Sequence, residues 1–293
     1  MRGLALECSM VDWEVPEEDR AFVELFLQTA EVDEDDPKYP GYVNFNLRAV
    51  ERGQAICEKL APFVEFAGAK ALDIGSGSAG IAIALAQRGA QVEAIEPDPV
   101  RRLWAEQRIN GHHVDVAIAA CCVEQLPYES DLFNVVTCDS VLEHVESPST
   151  AVAEICRVLS RGGVVYLNVP NKASLINVVR DPHYQMFGVV LMPRRLGRWY
   201  VERVRKNRRG YWVNVIPTRS WMRRNFSSGH VLLSLHAPEE FHKLRRPAAI
   251  TKHPWIRRLA RFAELVGSTR ALERLALNQR PVNEFIGVKR VDW

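Results

Sequence analysis

A glycine-rich turn between an apolar strand and an apolar helix constrains this chain more than any other feature. Residues 71–99 read ALDIGSGSAGIAIALAQRGAQVEAIEPDP. The apolar run before Gly75 predicts a buried strand, and the run after Gly80 predicts a helix that ends at Gly89. Because glycine lacks a Cβ atom and accepts positive φ, such a turn lets the backbone approach a ligand closely. A strand, a glycine turn and a helix in this order indicate a parallel α/β sheet.

The alternation of strand and helix continues along the chain. Strands are predicted at 70–74, 91–95, 114–119, 133–137, 164–169, 229–235 and 283–290, and helices between the earlier ones at 78–88, 99–110 and 150–159. The predicted fold class is therefore α/β: a Rossmann-like, seven-stranded, mostly parallel sheet with helices on both faces. A strand that comes this late is expected to be the antiparallel C-terminal partner of the sixth.

The segments outside this alternation suggest the domain organisation. Two predicted helices, 17–31 and 44–62, precede the first strand, and we expect residues 1–68 to form an N-terminal helical lid. Residues 69–293 then form the ligand-binding α/β domain. The alternation of strands and helices stops after Pro170. A basic, aromatic stretch at about 171–219 is expected to be an inserted, helical segment, which we call the basic cap. A helix is predicted at 218–226, and further helices follow the sixth strand to about residue 278.

Charge is distributed unevenly along the chain. Residues 175–280 hold 22 Lys and Arg against 6 Asp and Glu, whereas the remaining residues hold 16 against 30. This asymmetry indicates that the basic part meets an anionic group, such as a phosphate, a lipid surface or a nucleic acid. A solvated helical surface that complements the acidic half explains the same counts equally well.

Cysteine usage and hydropathy bear on metal binding, membrane association and cellular location. None of the six cysteines forms a C-x-x-C pair and no Cys/His spacing is typical of zinc, so we expect reduced thiols, no metal site and a cytoplasmic location. No apolar run approaches the roughly 18 residues of a membrane span. The first twenty residues turn acidic too early for a signal peptide, and none is expected.

The glycine turn is compatible with two cofactors. Gly75, Gly77 and Gly80 have the G-x-G-x-x-G spacing of a dinucleotide site, and Glu96 follows at the distance of an acid that holds a ribose. Asp73 separates the alternatives. A carboxylate there would repel a pyrophosphate, whereas S-adenosylmethionine (SAM) carries a cationic sulfonium and ammonium. Asp73 therefore favours SAM over NAD.

Four further motifs follow in order: EQLPY at 124–128, DLFNVV at 131–136, VLEHV at 141–145 and RVLSRGG at 157–163. Together with the glycine turn they resemble class I SAM-dependent methyltransferases, and most of all the ubiquinone/menaquinone-biosynthesis branch (methyltransferase type 11). The resemblance covers about residues 70–170. It implies a SAM-dependent methyltransferase that releases S-adenosylhomocysteine. The implied acceptor is a small molecule or a lipid- or glycolipid-like molecule, with O-methylation expected first.

The resemblance also implies which residues hold the cofactor. The methionine part of SAM would meet the glycine turn, the ribose the acid at the end of the second strand, and the adenine the residues before LPY. These positions are Asp73, Gly75, Ser76, Gly77, Glu96, Pro97, Cys122, Val123 and Asp139. Cys122 departs from the acid that the family often has there, and a thiol is a poor partner for the adenine amine. Asn134 replaces another family acid that is largely structural.

Three residues are candidates for acid–base catalysis. Methyl transfer to a hydroxyl is helped by a base, and His144 is the first candidate because it lies one turn past the fourth strand. The alternative is that His144 packs and orients the cofactor loop. His183 and Tyr184 are the next candidates, against the alternative that Asp181 and Pro182 only form a turn.

The basic cap should determine the acceptor. An apolar run at 186–192 precedes a stretch in which basic and aromatic residues alternate: Arg194, Arg195, Arg198, Trp199, Tyr200, Arg203, Arg205, Lys206, Arg208, Arg209, Tyr211 and Trp212. This pattern suits a lipid-linked anionic acceptor and peripheral contact with an anionic membrane. It also suits RNA, with aromatic rings stacking on bases. The resembled branch favours the first over an RNA methyltransferase. An NAD-binding oxidoreductase and a non-catalytic SAM-fold binding protein are further alternatives.

Overall fold

The fold comes from a computed structural model, which describes residues 15–30, 39–204, 211, 213–214, 216–236 and 280–291. The chain divides into two compact units. The first contains the described residues up to Asp139, then Thr150–Tyr166 and the residues from Val288 onward. The second contains Ser140–Ser149 and the described residues of Leu167–Gly287. The helices predicted after the sixth strand, up to about residue 278, lie outside the described residues, and the predicted lid and cap boundaries stay predictions.

One sheet of seven strands runs through the described part of the chain. Its strands are β1 (Lys70–Ile74), β2 (Gln91–Ile95), β3 (Val116–Ala119), β4 (Phe133–Asp139), β5 (Leu159–Pro170), β6 (Val231–Leu235) and β7 (Val282–Lys289). The strand order is β3-β2-β1-β4-β5-β7-β6, mostly parallel, with an antiparallel C-terminal strand. The predicted fold class is therefore confirmed.

The centre of the sheet fixes where a ligand can bind. Strand β1 pairs in parallel with β2 on one side and with β4 on the other, so that Asp73 lies opposite Ala94 and Thr137. Chain order reverses direction at β1, because β2 and β3 lie to one side and β4 and β5 to the other. Ligands of open α/β sheets bind beyond the carboxyl ends of the strands at such a switch point.

The described helices are α1 (Arg20–Thr29), α2 (Tyr39–Leu47), α3 (Ala49–Leu60), α4 (Gly80–Gln87), α5 (Pro99–Gly111), α6 (Pro148–Val158), α7 (Leu175–Val179), α8 (Arg194–Val204) and α9 (Arg219–Ser228). The single helix predicted at 44–62 is instead two helices, because Arg48 adopts φ −90° and ψ 23° and interrupts the helical geometry. Strand β5 begins at Leu159, five residues before the predicted start at Val164, and it includes the glycine pair that was predicted to end a helix.

The third glycine of the motif is a packing residue. A Cβ atom on Gly80 would lie 2.2 Å from the carbonyl carbon of Ala49, and one on Gly53 would lie 2.4 Å from the carbonyl oxygen of Gly80. Helices α3 and α4 therefore approach each other at a distance that only glycine allows. Gly80 thus positions the helix behind the turn, and the ligand face is left to Gly75 and Gly77.

A buried ion pair anchors α5 to the N-terminal helices. The fully buried guanidinium of Arg108 donates to both carboxylate oxygens of Asp19, at 2.8 and 2.6 Å, and to the carbonyl oxygens of Asn46 and Leu47. Burial alone would raise the pKa of Asp19, but the hydrogen bonds of His112 and Arg108 outweigh it and lower that pKa. Arg108 therefore satisfies backbone acceptors at the end of α2 that have no partner within that helix.

None of the helices in the described ranges is both long and apolar enough to cross a membrane.

Candidate functional site

The glycine turn leaves β1 as an open loop that is tied to the neighbouring strand. The backbone N–H groups of Gly75 and Ser76 both donate to the carbonyl oxygen of Ile95, at 2.9 and 3.0 Å. Gly75 and Gly77 have φ values of 66° and 56°, which a residue with a Cβ atom rarely adopts. A Cβ atom on Gly77 would meet nothing closer than 4.0 Å. The positive φ therefore requires glycine, and open space lies beside it for a ligand.

Glu96 holds this loop in place from the end of β2. Its Oε2 accepts the backbone N–H of Gly77 at 3.0 Å, and its Oε1 accepts that of Asp98 at the same distance. Arg102 donates to the carbonyl oxygen of Glu96 at 2.8 Å. Each carboxylate oxygen keeps a further lone pair, so Glu96 can still accept hydrogen bonds from two adjacent hydroxyls.

Asp73 is a buried acid at the start of the loop. It is 1% exposed, and its Oδ1 accepts the hydroxyl of Thr137 at 2.6 Å. Burial raises the pKa of Asp73 to about 7, and the negative charge of Asp139 adds to the rise. Within the described ranges, Asp73 Oδ2 and Ser76 Oγ are buried and have no hydrogen-bond partner. Buried polar atoms are rarely left in this state, so the pair indicates a place for a polar ligand.

Asp139, at the end of β4, is joined to the N-terminal helices by a residue that sequence analysis did not select. The Nε of Arg52 donates to Asp139 Oδ2 at 3.2 Å, and its Nη1 donates to the carbonyl oxygen of Phe45 at 2.8 Å. The guanidinium carbon lies 3.7 Å from the centre of the Phe45 ring. Beside it is an open hollow of about 470 Å³ lined by Gly41, Asn44, Phe45, Arg48, Glu51 and Arg52. Eighty-seven positions separate Arg52 from Asp139, and no local pattern signals the contact.

The predicted adenine contacts lie in the same unit. Pro97 is exposed, and its carbonyl oxygen accepts Arg102 Nη1 at 2.7 Å. Cys122 is exposed between β3 and β4, whereas Val123 is 3% exposed. All nine residues assigned to the cofactor thus fall in the first unit, and their contacts with adenine and ribose stay predictions.

The second unit brings two of the three predicted catalytic residues together around an acid. The Nε2 atoms of His144 and His183 lie 3.9 and 3.8 Å from Oε1 of Glu143. The two rings are nearly perpendicular, with centroids 5.3 Å apart. The side chain of Glu143 is 1% exposed and that of His144 is 36% exposed. Glu143 entered the sequence analysis only as part of the VLEHV motif. We call these three residues the histidine–glutamate cluster.

Asn214 holds one side of this cluster. Its side-chain amide donates to the carbonyl oxygens of His144 and Val145, at 2.7 and 2.9 Å, and its backbone N–H donates to that of Glu143 at 2.8 Å. A single residue of the basic cap therefore fixes the backbone that carries two members of the cluster. Seventy positions separate Asn214 from His144, and sequence analysis missed it.

Asp181 holds the other side. Its Oδ1 accepts the backbone N–H groups of His183 and Tyr184, at 2.8 and 2.7 Å, which forms the turn that DPHY suggests. The Tyr184 side chain is 1% exposed. Its hydroxyl accepts the backbone N–H of Val213 at 2.9 Å, and its ring stacks on Tyr211 with centroids 5.0 Å apart. These contacts place Tyr184 in a small apolar core with Val189, Val190 and Val201. Its ring centroid lies 6.2 Å from that of His183.

Comparison with known families agrees with this fold. Residues 72–167 match the family described as methyltransferase domain. This range includes the glycine turn, Glu96 and Asp139, together with Glu143 and His144. The resemblance to SAM-dependent methyltransferases is therefore confirmed over these residues.

Curated relatives carry a more particular name. The ubiquinone biosynthesis O-methyltransferase of Pseudomonas entomophila is 33% identical over 150 residues, which are 46% of this chain and 64% of that protein. The protein of the same name from Pseudomonas aeruginosa is 36% identical over 130 residues, which are 42% of this chain and 50% of that protein. The chain thus spans about half to two thirds of the length of these relatives.

Solved structures share the fold at low identity. Magnesium protoporphyrin IX methyltransferase from Synechocystis, solved with bound S-adenosylhomocysteine, aligns with a TM-score of 0.51 at 11% identity over 91% of this chain and 93% of its own. The YcgJ protein of Bacillus subtilis aligns with a TM-score of 0.50 at 16% identity over 83% of this chain and all of its own. These likenesses show the fold alone.

We expect Asp73→Asn to make thermal stability less dependent on pH. Between the ordinary pKa of 3.8 and the native pKa of about 7, the folded parent protein holds a proton on Asp73 that the unfolded chain has lost. Stability of the parent therefore falls as pH rises through this window, by at most about 4 kcal/mol, and the variant does not share this loss. The melting temperature of the variant minus that of the parent should therefore rise from pH 5 to pH 7. Above pH 7 this difference should stay constant.

The matched control is Asp115→Asn, the same substitution at an exposed aspartate, which should leave the pH profile unchanged. If the difference in melting temperature between Asp73→Asn and the parent stays constant from pH 5 to pH 7, the raised pKa is contradicted.

Proposed function

We propose that this protein is a SAM-dependent methyltransferase that transfers a methyl group to an oxygen of a small-molecule or lipid-like acceptor. One observation carries the proposal: a methyltransferase domain holds an open glycine loop beside two buried polar atoms, Asp73 Oδ2 and Ser76 Oγ, that lack partners within the described ranges. The α-ammonium of SAM is a donor of the charge and type that such atoms accept.

The charge at the loop favours SAM over NAD. With a pKa of about 7, Asp73 is poised between its neutral and ionised forms. A bound cation stabilises the carboxylate, whereas a pyrophosphate would face a carboxylate that burial prevents water from screening. Asp139, which lies near enough to raise that pKa, brings a second carboxylate to the same end of the sheet, where it pairs with Arg52.

When bound, SAM supplies a methyl group on a sulfonium, which passes to the acceptor oxygen as the S–C bond breaks and S-adenosylhomocysteine is left. The chain's own part is to hold the reactants and to remove the hydroxyl proton of the acceptor. We assign the removal of this proton to the histidine–glutamate cluster, in which His144 is the most exposed member. Tyr184 is not assigned a role, because its hydroxyl is buried and engaged with Val213.

The choice of oxygen follows from the relatives. Both curated relatives described above are named O-methyltransferases of ubiquinone biosynthesis. An imidazole beside a carboxylate also suits an acceptor hydroxyl, which must lose a proton. A SAM-fold protein without catalysis would have no need of such a cluster.

We expect His144→Ala to lower the turnover number by about 10²- to 10⁴-fold, because the hydroxyl proton would lose its acceptor. The affinity for SAM, measured by calorimetry, should stay within about twofold, since the assigned cofactor residues lie elsewhere in the sequence. The measurement is transfer of labelled methyl from SAM to alkyl-substituted phenols, with His113→Asn as the control at an exposed histidine. Unchanged turnover in His144→Ala would remove His144 from the reaction.

We further propose that the second unit meets an anionic lipid surface. Eight of the thirteen exposed large hydrophobic side chains in the described residues fall between Leu175 and Val204: Leu175, Ile176, Val179, Phe187, Leu191, Leu196, Trp199 and Val204. Such a concentration of exposed apolar side chains marks an interaction surface. The same segment exposes Arg180, Arg194, Arg195, Arg198 and Arg203.

The spacing within α8 supports a membrane interface. Gly197 and Val201 form its buried face, whereas Leu196 and Trp199 are half exposed and three residues apart. Apolar residues bordered by arginine suit acyl chains beneath anionic headgroups. The exposed aliphatic side chains of α7 have no ring to stack on a base, and they therefore favour lipid over RNA. Arg205, Lys206, Arg208, Arg209 and Trp212, which sequence analysis included, lie outside the described residues.

We expect the protein to float with vesicles of phosphatidylglycerol and phosphatidylcholine at low salt, and not with phosphatidylcholine alone. Trp199→Ser should weaken binding about tenfold, because an interfacial ring would be lost. Phe63→Ser, at a similarly exposed ring in the first unit, should bind as the parent does. Binding to an RNA oligonucleotide but not to anionic vesicles would contradict the lipid assignment.

A further inference from the structure

We propose that Glu143, His144 and His183 bind a divalent first-row transition-metal ion, with Zn²⁺ as the ion that suits them best. Each residue offers one ligand atom, and these atoms all lie within 4.8 Å of one another. The binding site itself stands on this geometry. Its role in catalysis, described below, rests on the proposed function.

The distances are close to those of a metal site. Tetrahedral Zn²⁺ has bonds of about 2.0–2.2 Å, which puts its ligand atoms roughly 3.3 Å apart. In the cluster, Glu143 Oε1 lies 3.9 Å from His144 Nε2 and 3.8 Å from His183 Nε2. A contraction of about half an ångström brings the carboxylate oxygen to this spacing from both imidazoles. The two imidazole nitrogens, which lie within 4.8 Å of each other, would approach by up to about 1.5 Å through rotation of their side chains.

The ligand set selects the class of ion. Two imidazoles and one carboxylate suit Zn²⁺ and its neighbours in the first transition row, whereas Mg²⁺ and Ca²⁺ prefer oxygen ligands throughout. Three protein ligands leave one coordination position open, as in catalytic rather than structural zinc sites. A divalent ion would also compensate the burial of Glu143, whose side chain is 1% exposed.

The surroundings resemble the outer shell of a metal site. Metal-binding histidines commonly direct their second ring nitrogen toward a carboxylate or a carbonyl. His183 Nδ1 lies 4.0 Å from Asp181 Oδ1, which is longer than a hydrogen bond, and the backbone N–H of His183 donates to the same oxygen at 2.8 Å. On the other side, Asn214 fixes the backbone of Glu143 and His144. Both flanks are thus held by side chains that do not themselves reach the ion.

Sequence analysis predicted no metal site because it relied on short Cys and His spacings. Here two ligands are adjacent in VLEHV and the third lies forty positions later in DPHY. Both segments belong to the second unit. No local sequence pattern indicates that they lie close together.

A metal ion deepens the proposed function of the cluster. An acceptor hydroxyl at the open position would have its pKa lowered by the ion, and its proton would then pass to water. The C–O bond forms as the S–C bond breaks, as before, so no oxidant or reductant is needed. On this account His144 serves as a ligand, and transfer to acceptors should require the ion.

The test uses Co²⁺ as a spectroscopic probe on the full, tag-free chain after treatment with a chelator. We expect one Co²⁺ per chain at micromolar concentration, visible absorption bands typical of tetrahedral coordination, and displacement by Zn²⁺. Glu143→Gln and His183→Ala should each weaken binding by about tenfold or more. His113→Asn should bind as the parent does, because that histidine is exposed and belongs to the other unit.

Circular dichroism on the same samples identifies any variant that fails to fold. If one of the two cluster variants is unfolded, the metal affinity of the other tests the site. Absence of Co²⁺ binding, or equal binding by the parent and a folded cluster variant, would overturn the metal site. Titration with SAM separates the two proposals. If the parent binds SAM but not Co²⁺, only this inference is contradicted. If the parent binds Co²⁺ but not SAM, the proposed function is contradicted.

Discussion

The carboxylate of Glu96 is the interaction on which the cofactor loop depends. It accepts the backbone N–H groups of Gly77 and Asp98, and so it joins the glycine turn after β1 to the chain that leaves β2. The crowded contact of Gly80 with Ala49 fixes the helix behind the same turn. The loop is thereby held from two sides.

The site carries an energetic cost that the proposed function would explain. Asp73 is buried near Asp139, and burial raises its pKa to about 7, which disfavours the ionised form of this side chain. A protein under selection for stability alone would replace such an acid, but a cationic ligand reverses the balance by stabilising the carboxylate. The second unit shows the same pattern, because Glu143 is buried between two imidazoles that could share a cation with it.

Sequence alone predicted most of the sheet and the position of the glycine loop, because both depend on local signals. Hydrophobic periodicity located β1 and β2 to the residue, and glycine spacing located the loop. Contacts between distant segments could not be predicted in this way. Arg52 reaches Asp139 across 87 positions, and Asn214 reaches His144 across 70. The break at Arg48 was missed because helical periodicity continues on both sides of it.

Calorimetric titration with SAM, S-adenosylhomocysteine and NAD in parallel, on the parent protein and on Asp73→Asn, tests the central claim most directly. The account predicts micromolar binding of SAM and its product by the parent, no heat from NAD, and SAM binding weakened by about tenfold or more in the variant. Binding of NAD with SAM silent would mean that the glycine loop faces a pyrophosphate. Full SAM affinity in Asp73→Asn would contradict the role given to the buried carboxylate.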